Sequence, residues 1–245
     1  MVMNMKPHIS FVIPTYNEGN YIERTLKQFL PFRKEYNFEV IIVDGNSTDN
    51  TAKIAKKYAD KVVVEERKTT IANARNLGAY AARGDIVIEM DAEVIYSSVP
   101  ILFKEIDEAF ENSKIIAATV KFYVFPTEAI LKDKILDWFV NAQIRNGLLF
   151  HMAISKGECQ IFRKESFVKA GGYDSKIALG EDGELFRKFW KIGKIKYLKN
   201  ITAYYSPRRF RKEGYLKVIF VYWVWNWLYT AVTGKSFYTT WKVVR

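Results

Sequence analysis

Residues 74–93, ARNLGAYAARGDIVIEMDAE, decide the fold of this chain of 245 residues. They predict a helix, a Gly-Asp turn and a buried strand that ends in the acidic triplet Asp91-Ala-Glu93. Open α/β sheets bind ligands beside the carboxyl ends of their strands, where two acids can hold a divalent ion on an anionic substrate. The stretch therefore predicts an α/β fold with a metal and phosphate site, although the triplet by itself is more often only a solvated turn.

Three strand-helix units precede the central strand. The runs 8–13, 38–43 and 61–65 predict the strands, and the helices that follow them are expected to begin near Tyr21, at Ser47 or Thr48, and at Thr69 or Thr70. Consecutive parallel strands need a crossover helix between them. The pattern therefore predicts a right-handed βαβ series with a parallel sheet.

The order of elements changes beyond Glu93. We expect helices over 100–112, over 128–146 and after 180–182, and strands over 115–125, 158–162 and 195–198. Trp138 lies on the apolar stripe of the second of these helices, so we expect it in the core rather than as a platform for a sugar. We expect a single domain over 1–210, with a nucleotide-binding half at about 1–93 and an acceptor half at 94–210.

The composition indicates an anionic partner. Lys and Arg number 38 against 27 Asp and Glu, a formal net charge of +11. A nucleotide, a phospholipid surface or a nucleic acid would each complement this charge. The single cysteine, Cys159, excludes an internal disulfide, and the amino terminus lacks the pattern of a secretion signal. We therefore expect a cytoplasmic protein.

The carboxy-terminal part of the chain differs in kind. Residues 218–234 carry no charge and are crowded with Trp, Tyr and Phe, and lysines flank them. We expect a hydrophobic, aromatic-rich helix within 211–245 that makes peripheral membrane contact through 216–234. A helix packed on the domain or on a second copy of the chain, and a helix that spans the membrane, remain alternatives.

Acids stand at three strand ends or helix starts: Asp44, Asp91 with Glu93, and Glu181 with Asp182. The first two sites should converge, because parallel strands end at a shared edge. Asp44 suits a hydrogen bond to a base or ribose, or else the cap of a helix.

Basic residues suited to phosphate accompany these acids. Arg75 could pair with a diphosphate, or else is a solvated helix arginine. Arg208, Arg209 and Arg211 follow Pro207 in a predicted loop. They suit the phosphates of a donor, or else are simply solvated.

Five segments resemble the motifs of inverting family-two glycosyltransferases, which have the GT-A fold. They are 11–18 (FVIPTYNE), 43–49 (VDGNSTD), 74–78 (ARNLG) leading to 91–93 (DAE), 171–174 (GGYD) and 180–182 (GED). The resemblance covers about residues 8–210 in the family's order and spacing. It implies an α/β domain with a mixed sheet flanked by helices.

The resemblance also implies roles for residues of the nucleotide pocket. Pro14, Thr15, Tyr16 and Glu18 would line this pocket, and Asp44 would contact the base.

The remaining implied roles concern the diphosphate and the chemistry. Arg75 would lie near the sugar diphosphate, and Asp91 and Glu93 would place manganese or magnesium on it. Asp182, next to Glu181, would act as the general base.

Two positions depart from the family pattern. The second strand usually ends in a double Asp, whereas Asp44 is followed by Gly45, which makes base recognition less defined. The triplet usually ends in Asp, and Glu93 is one methylene longer, so the metal assignment rests mainly on Asp91. The Gln-x-x-Arg-Trp motif of processive synthases is absent from the sequence, and we expect transfer of one sugar rather than polymerisation.

We expect transfer, with inversion, from a nucleotide-diphospho-sugar to a hydroxyl of a lipid-linked or membrane-resident acceptor. UDP is favoured over GDP as the nucleotide. The alternative acceptor is a polyprenyl phosphate, which is already anionic and needs little help from a base. We place the enzyme peripherally on the cytoplasmic face of a membrane, and a homo-oligomer remains open.

Two other classes of function are alternatives. A nucleotidyltransferase usually has a Gly-rich basic loop after its first strand, which residues 14–18 lack. A non-catalytic basic module on membrane or nucleic acid would explain the charge but not the ordered acids, which repel phosphate without a cation. We expect no nucleic-acid partner.

Overall fold

The structure, a computed structural model, describes residues 8–66, 69–149, 155–233 and 237. The described residues contain a sheet of eight strands in the order β3-β2-β1-β4-β7-β6-β8-β5. The strands are β1 (Ile9–Thr15), β2 (Phe38–Asp44), β3 (Lys61–Val64), β4 (Ile86–Met90), β5 (Ile95–Tyr96), β6 (Ile115–Val124), β7 (Cys159–Arg163) and β8 (Lys194–Tyr205).

Helices cover both faces of this sheet. They are α1 (Ile22–Lys27), a 3-10 turn (Leu30–Phe32), α2 (Thr51–Tyr58), α3 (Ile71–Ala81), α4 (Val99–Phe110), α5 (Leu131–Leu149), α6 (Lys164–Lys169), α7 (Glu181–Trp190), α8 (Arg208–Glu213), a π-helical stretch (Lys217–Trp225) and α9 (Asn226–Thr233).

One half of the sheet is parallel and the other half is mixed. β1 pairs in parallel with β2 and β4, and β2 pairs in parallel with β3. β7 runs antiparallel to β4 and β6, whereas β6 and β8 are parallel. The predicted βαβ series and the mixed α/β sheet are therefore confirmed.

Alternation along the strands builds a core on each face of the sheet. Phe11 and Ile13 of β1 point into the core beneath α1, α2, α4 and α5, while Val12 points into the core beneath α3, α6 and α7. Each large side chain buried in this way stabilises the fold by about 1.5–3 kcal/mol. Gly78 allows α3 to approach the sheet, because a Cβ there would lie 2.2 Å from Cγ1 of Val12.

Some element boundaries differ from the prediction. α2 begins at Thr51, whose backbone N–H donates to Asp49, so neither Ser47 nor Thr48 caps it. Thr70 does cap α3, by accepting from the N–H of Asn73. Strand β8 continues past Leu198 to Tyr205, because its second part pairs with β6 and β5.

The prediction that Trp138 lies in the core is wrong. Its side chain is 69% exposed, because α5 turns the opposite face toward the sheet. Leu136, Val140 and Ile144 fill the core instead.

The carboxy-terminal elements pack on the domain. Val218 and Tyr222 of the π-helical stretch join the core, and Asn226 is buried. Among the described helices, none combines the length and hydropathy that crossing a bilayer demands. The predicted helix within 211–245 is thus split into α8, the π-helical stretch and α9, and its residues 234–236 and 238–245 lie outside the described part of the chain.

Candidate active site

The ends of β1 and β2 lie side by side in the sheet. Thr15 and Asp44 are register partners, and Oγ1 of Thr15 donates to Oδ1 of Asp44 over 3.2 Å. Asp44 also accepts from the backbone N–H of Ser47 at 2.9 Å and from its hydroxyl at 2.5 Å. Asp44 is buried and braces the turn after β2, so it does not cap α2.

The loops after these two strands are bound to each other. The backbone N–H of Asn17 donates to Oγ of Ser47, and the N–H of Thr48 donates to Oδ1 of Asn17. Asn17 and Asn46 both have positive φ, of 55° and 63°, a conformation that Asn tolerates better than most residues. Residues 15–19 and 44–49 therefore form one rigid wall, on which Pro14 and Tyr16 are half-buried.

Arg75 links this sheet edge to the second half of the chain. Its side chain is only 2% exposed, which excludes a solvated arginine. Nη1 lies 2.8 Å from Oε1 of Glu181, and Nη2 lies 3.2 Å from Oδ1 of Asp91 and 2.9 Å from the carbonyl oxygen of Gly157. The end of β4 and the start of α7 are thereby held together, and two of the predicted acidic sites become one.

A buried polar network supports Arg75 from below and was not predicted. Nε of Arg75 lies 3.7 Å from Oε2 of Glu89, a fully buried acid inside β4. The hydroxyl of Tyr173 contacts Glu89 Oε2 at 2.5 Å and Gln160 Oε1 at 2.6 Å. The signal available in the sequence was a charged residue inside the apolar strand 86–90.

Residues 181 and 182, predicted to be catalytic, lie on the first turn of α7. Gly180 precedes this helix with φ of 88°, a left-handed conformation that favours glycine. Oδ1 of Asp182 accepts from the backbone N–H of Gly183, and the side chain is partly exposed, whereas Glu181 is buried against Arg75. Nδ2 of Asn226 donates to the carbonyl oxygen of Leu179 at 2.8 Å, so the C-terminal elements also hold this turn.

Arg208 closes the site from the opposite side. It belongs to α8 together with Arg209 and Arg211, so the predicted loop after Pro207 is wrong. Its two terminal nitrogens donate to the two carboxylate oxygens of Glu18 at 3.1 and 2.9 Å. Its Nε lies 2.9 Å from Oε2 of Glu93.

The other two arginines of α8 have carboxylate partners within the fold. Arg209 pairs with Glu213 in its own helix at 2.9 Å, and Arg211 binds Asp133 of α5 at 3.0 Å. Arg209 is partly buried and lies within electrostatic range of Asp91. Arg208 and Arg209 therefore border the acidic site, whereas Arg211 anchors α5.

The site holds more negative than positive charge. Burial raises the pKa of Asp91 to about 6 and that of Glu93 to about 8. Arg208 opposes the shift at Glu93, whereas Asp91, Glu18 and Glu158 reinforce it. The two guanidinium groups of Arg75 and Arg208 thus contact five acids, Glu18, Glu89, Asp91, Glu93 and Glu181, and this excess of acids favours binding of a further cation.

The donor set fits a hard divalent ion. Oε2 of Glu93 accepts no hydrogen bond despite its closeness to Arg208, and the Asp91 side chain is about a third exposed. Carboxylate oxygens are ligands that magnesium and manganese prefer. Among the described residues, no three His, Cys, Asp or Glu side chains are grouped to ligate an ion alone, so the other ligands would come from substrate and water.

Comparison with known proteins places this chain in a family. The family model described as Glycosyl transferase family 2 matches residues 10–170. Succinoglycan biosynthesis protein ExoA of Rhizobium meliloti is 28% identical over 207 residues, which are 80% of this chain and 62% of that protein. A dolichol-phosphate mannosyltransferase of Pyrococcus furiosus is 29% identical over 113 residues, 44% of this chain and 32% of that protein.

A solved structure shares the fold. The mannosyltransferase PcManGT from Pyrobaculum calidifontis, solved with GDP-Man and Mn²⁺, superposes with a TM-score of 0.70 at 19% identity. The match covers 95% of this chain and 66% of that chain. This chain is therefore shorter than these relatives and spans 62% of ExoA and 66% of PcManGT. With its GT-A fold and a family model matched over most of its sheet, the chain belongs to glycosyl transferase family 2, a family of transferase enzymes.

Proposed function

We propose that this chain transfers one sugar, with inversion, from a nucleotide-diphospho-sugar to a hydroxyl of a lipid-linked or membrane-resident acceptor. The observation that carries the proposal is the pair of contacts from Arg75 to Asp91 and to Glu181. Asp91 is the acid suited to the donor diphosphate, and Glu181 belongs to the motif suited to the acceptor. Because Arg75 contacts both, the two are separated by a single side chain. A donor bound at the strand ends would then present its anomeric carbon to Asp182.

The wall formed by residues 15–19 and 44–49 is proposed to hold the nucleotide, with Asp44 contacting the base. Pro14, Thr15, Tyr16 and Glu18 are proposed to line the nucleotide pocket at this wall. The sequence favours UDP, whereas the solved relative PcManGT holds GDP-Man, so both nucleotides enter the tests.

The residues around the diphosphate have separate tasks. Arg208 and Arg209 are proposed to bind its oxygens, because guanidinium groups match the geometry of phosphate. Asp91, together with Glu93, would hold a manganese or magnesium ion, which would offset the charge that develops on the leaving nucleoside diphosphate. Arg75 holds Asp91 in position for this task.

Asp182 is proposed to be the general base. Burial raises the pKa of its carboxyl above the ordinary value, which moves it toward the range in which a base works best. As the acceptor oxygen bonds to the anomeric carbon, the bond from that carbon to the diphosphate oxygen breaks and the acceptor proton passes to Asp182. Glu181 is occupied by Arg75, so we propose that it positions Asp182.

A polyprenyl phosphate is the second candidate acceptor. The sequence match to a dolichol-phosphate mannosyltransferase favours it, although that match covers 44% of this chain. A phosphate is already anionic and has little need of a base, so a basic Asp182 favours a hydroxyl. The two acceptors therefore predict different sensitivities to loss of this carboxylate.

The enzyme is proposed to act peripherally on the cytoplasmic face of a membrane, with contact through residues 216–234. This segment exposes Leu216, Phe220, Val224 and Trp225. We also propose that the chain consists of a catalytic domain over 1–210 and a C-terminal element over 211–245. We propose no nucleic-acid partner, and the proposal is compatible with either a monomer or a homo-oligomer.

The test measures release of UDP or GDP from a panel of sugar nucleotides, with manganese and with membrane lipids as acceptors. Asp182→Asn should reduce transfer to a hydroxyl by about a hundredfold or more, which is the usual contribution of a general base. It should leave donor binding unchanged. An equal rate in the variant would contradict the base assignment and favour the phosphate acceptor, and no release from any donor would contradict the activity.

A further inference from the structure

Helix α5 buries three polar residues beside the apolar residues that it contributes to the core, and it exposes a stripe of large apolar residues to solvent. Its buried polar residues lie at intervals of four, and they are Asp133, Asp137 and Asn141. Its exposed apolar residues are Leu131 (72%), Ile135 (59%), Trp138 (69%) and Phe139 (45%). These four follow helical spacing and form one stripe, which we call the α5 outer face.

The buried polar residues have partners that fix the orientation of α5. Asp137 accepts from the backbone N–H of Val124 and from the hydroxyl of Tyr205, and Asn141 binds both the N–H and the carbonyl of Phe122. These bonds pin α5 along β6 with its apolar stripe outward. A large exposed apolar stripe on a rigid helix marks a surface that binds another protein or a membrane.

The first turn of α5 is attached to the start of the C-terminal elements. The hydroxyl of Tyr215 donates to Oδ1 of Asp133 at 2.7 Å, and Arg211 binds Oδ2 of the same residue. Leu131 of the α5 outer face belongs to this first turn, and Tyr215 precedes Leu216, which is exposed. The helix that carries the α5 outer face is therefore anchored to the segment proposed above to contact a membrane.

The exposed charged side chains of α5 itself all have one sign. The exposed charged side chains of α5 are Lys132, Lys134 and Arg145, since both acids of this helix are buried. Glu128, in the turn before the helix, is an exposed acid, and its carbonyl oxygen accepts from Arg211. The same face of a second copy would bring cations against cations, whereas an anionic bilayer attracts them and accepts Trp and Phe at its interface.

We propose that the α5 outer face docks on a bilayer that contains anionic lipid, with Trp138 and Phe139 at the level of the headgroups. The inference extends the membrane contact of the proposed function to a second element, on the rigid catalytic domain. Docking through both elements would fix the orientation of the active site relative to the bilayer. It is tested without donor or acceptor, so its failure is distinguishable from failure of the proposed sugar transfer.

The test compares two matched double variants of the full chain in co-sedimentation with phosphatidylglycerol-containing vesicles. Lys134→Gln with Ile135→Ser removes a cation and an exposed aliphatic side chain from the α5 outer face. Lys169→Gln with Val168→Ser likewise removes one cation and one aliphatic side chain, but from α6 on the opposite face of the sheet. Both of these side chains are exposed. The first variant should bind about tenfold more weakly than the wild type, and the second should bind within about twofold.

Equal binding by the wild type and the α5 variant, or an equal loss in the α6 variant, would overturn the proposal. Undiminished binding of the wild type to vesicles of neutral lipid would overturn the role of charge. Sedimentation velocity without vesicles supplies a further readout. A wild-type dimer that dissociates in the α5 variant would mean that a second copy, rather than a bilayer, covers this face.

Discussion

Nη1 of Arg75 lies 2.8 Å from Oε1 of Glu181, a residue 106 positions later in the sequence. Both side chains are buried, and the same guanidinium contacts Asp91. Helix α3, the end of β4 and the start of α7 therefore depend on one arginine. The proposed donor site and the proposed general base come from different halves of the chain, and this contact fixes the distance between them.

Arg75→Met should destabilise the fold, because it leaves Glu181 and Glu89 as buried acids without a counter-charge. The expected loss is about 3–5 kcal/mol, which is typical of removing one partner of a buried ion pair. Urea unfolding measures it. Lys27→Ala, which breaks an exposed pair with Glu23, should leave the midpoint nearly unchanged. An Arg75→Met protein as stable as the wild type would contradict the role of this contact.

Arg208→Gln should weaken donor binding in the presence of metal. The variant would lose the charge-assisted hydrogen bonds proposed between Arg208 and the diphosphate, which are typically worth about 1.5–3 kcal/mol, or roughly ten- to a hundredfold in Kd. Calorimetric titration with the donor nucleotide measures this change. Lys212→Gln removes an exposed cation from the same helix and should have little effect. Donor affinity unchanged by Arg208→Gln would remove this arginine from the proposed site.

Asn226→Leu should slow turnover without weakening the donor complex. Leucine cannot donate to the carbonyl of Leu179, so the turn at Gly180 loses the bond that holds it next to the catalytic motif. Misplacing a catalytic group slightly is costly, and we expect kcat to fall about tenfold. Thr233→Val, which removes a bond inside α9, is the control. A variant in which donor Kd rises and kcat stays unchanged would contradict a positioning role.

The free energy of unfolding should fall at acid pH, in part because Glu39 becomes protonated. Burial opposes its ionisation, but hydrogen bonds from Ser10 and Arg83 outweigh this and hold its pKa below 4.5. The carboxylate therefore contributes stability above pH 4.5, and this contribution is lost as the pH falls through the lowered folded-state pKa.

Unfolding midpoints measured across the acid range test this contribution. In Glu39→Gln, the unfolding midpoint should depend less steeply on pH in the acid range, which we call the acid limb of the stability curve. Glu108→Gln, at an exposed acid of α4, should keep the wild-type limb. An unaltered limb in Glu39→Gln would show that this hydrogen-bonded acid does not carry the effect.

Local patterns predicted the parallel half of the sheet and the edge at which its acids lie. Asp44 and Asp91 stand at the carboxyl ends of apolar strands, and parallel strands end at a shared edge, so this placement needed no knowledge of long-range contacts. The contact between Arg75 and Glu181 could not be predicted in this way, because its two residues come from opposite halves of the chain. The number of residues between Arg75 and Glu181 does not indicate how far apart they lie in the folded chain.

Helix α5 shows a different limit of sequence reasoning. Its apolar stripe predicted which residues share a face, but not which face turns inward. Asp137 and Asn141 decide the orientation through bonds to the backbone of β6. The stripe that contains Trp138 is therefore the exposed face of α5, although its apolar pattern alone predicts core. Polar residues at helical spacing opposite such a stripe are the signal that would have reversed the prediction.

The most direct test of the account is calorimetric titration of the protein with UDP, GDP and their sugar conjugates, with and without manganese, alongside Asp91→Ala. We predict that one nucleotide class binds only with metal and that Asp91→Ala weakens this binding by at least about tenfold, a loss seen even for residues that merely support a metal ligand. Glu108→Ala, at a distant exposed acid, should bind like the wild type. Failure of every nucleotide to bind in the presence of manganese, or equal binding by Asp91→Ala, would contradict the proposed donor site.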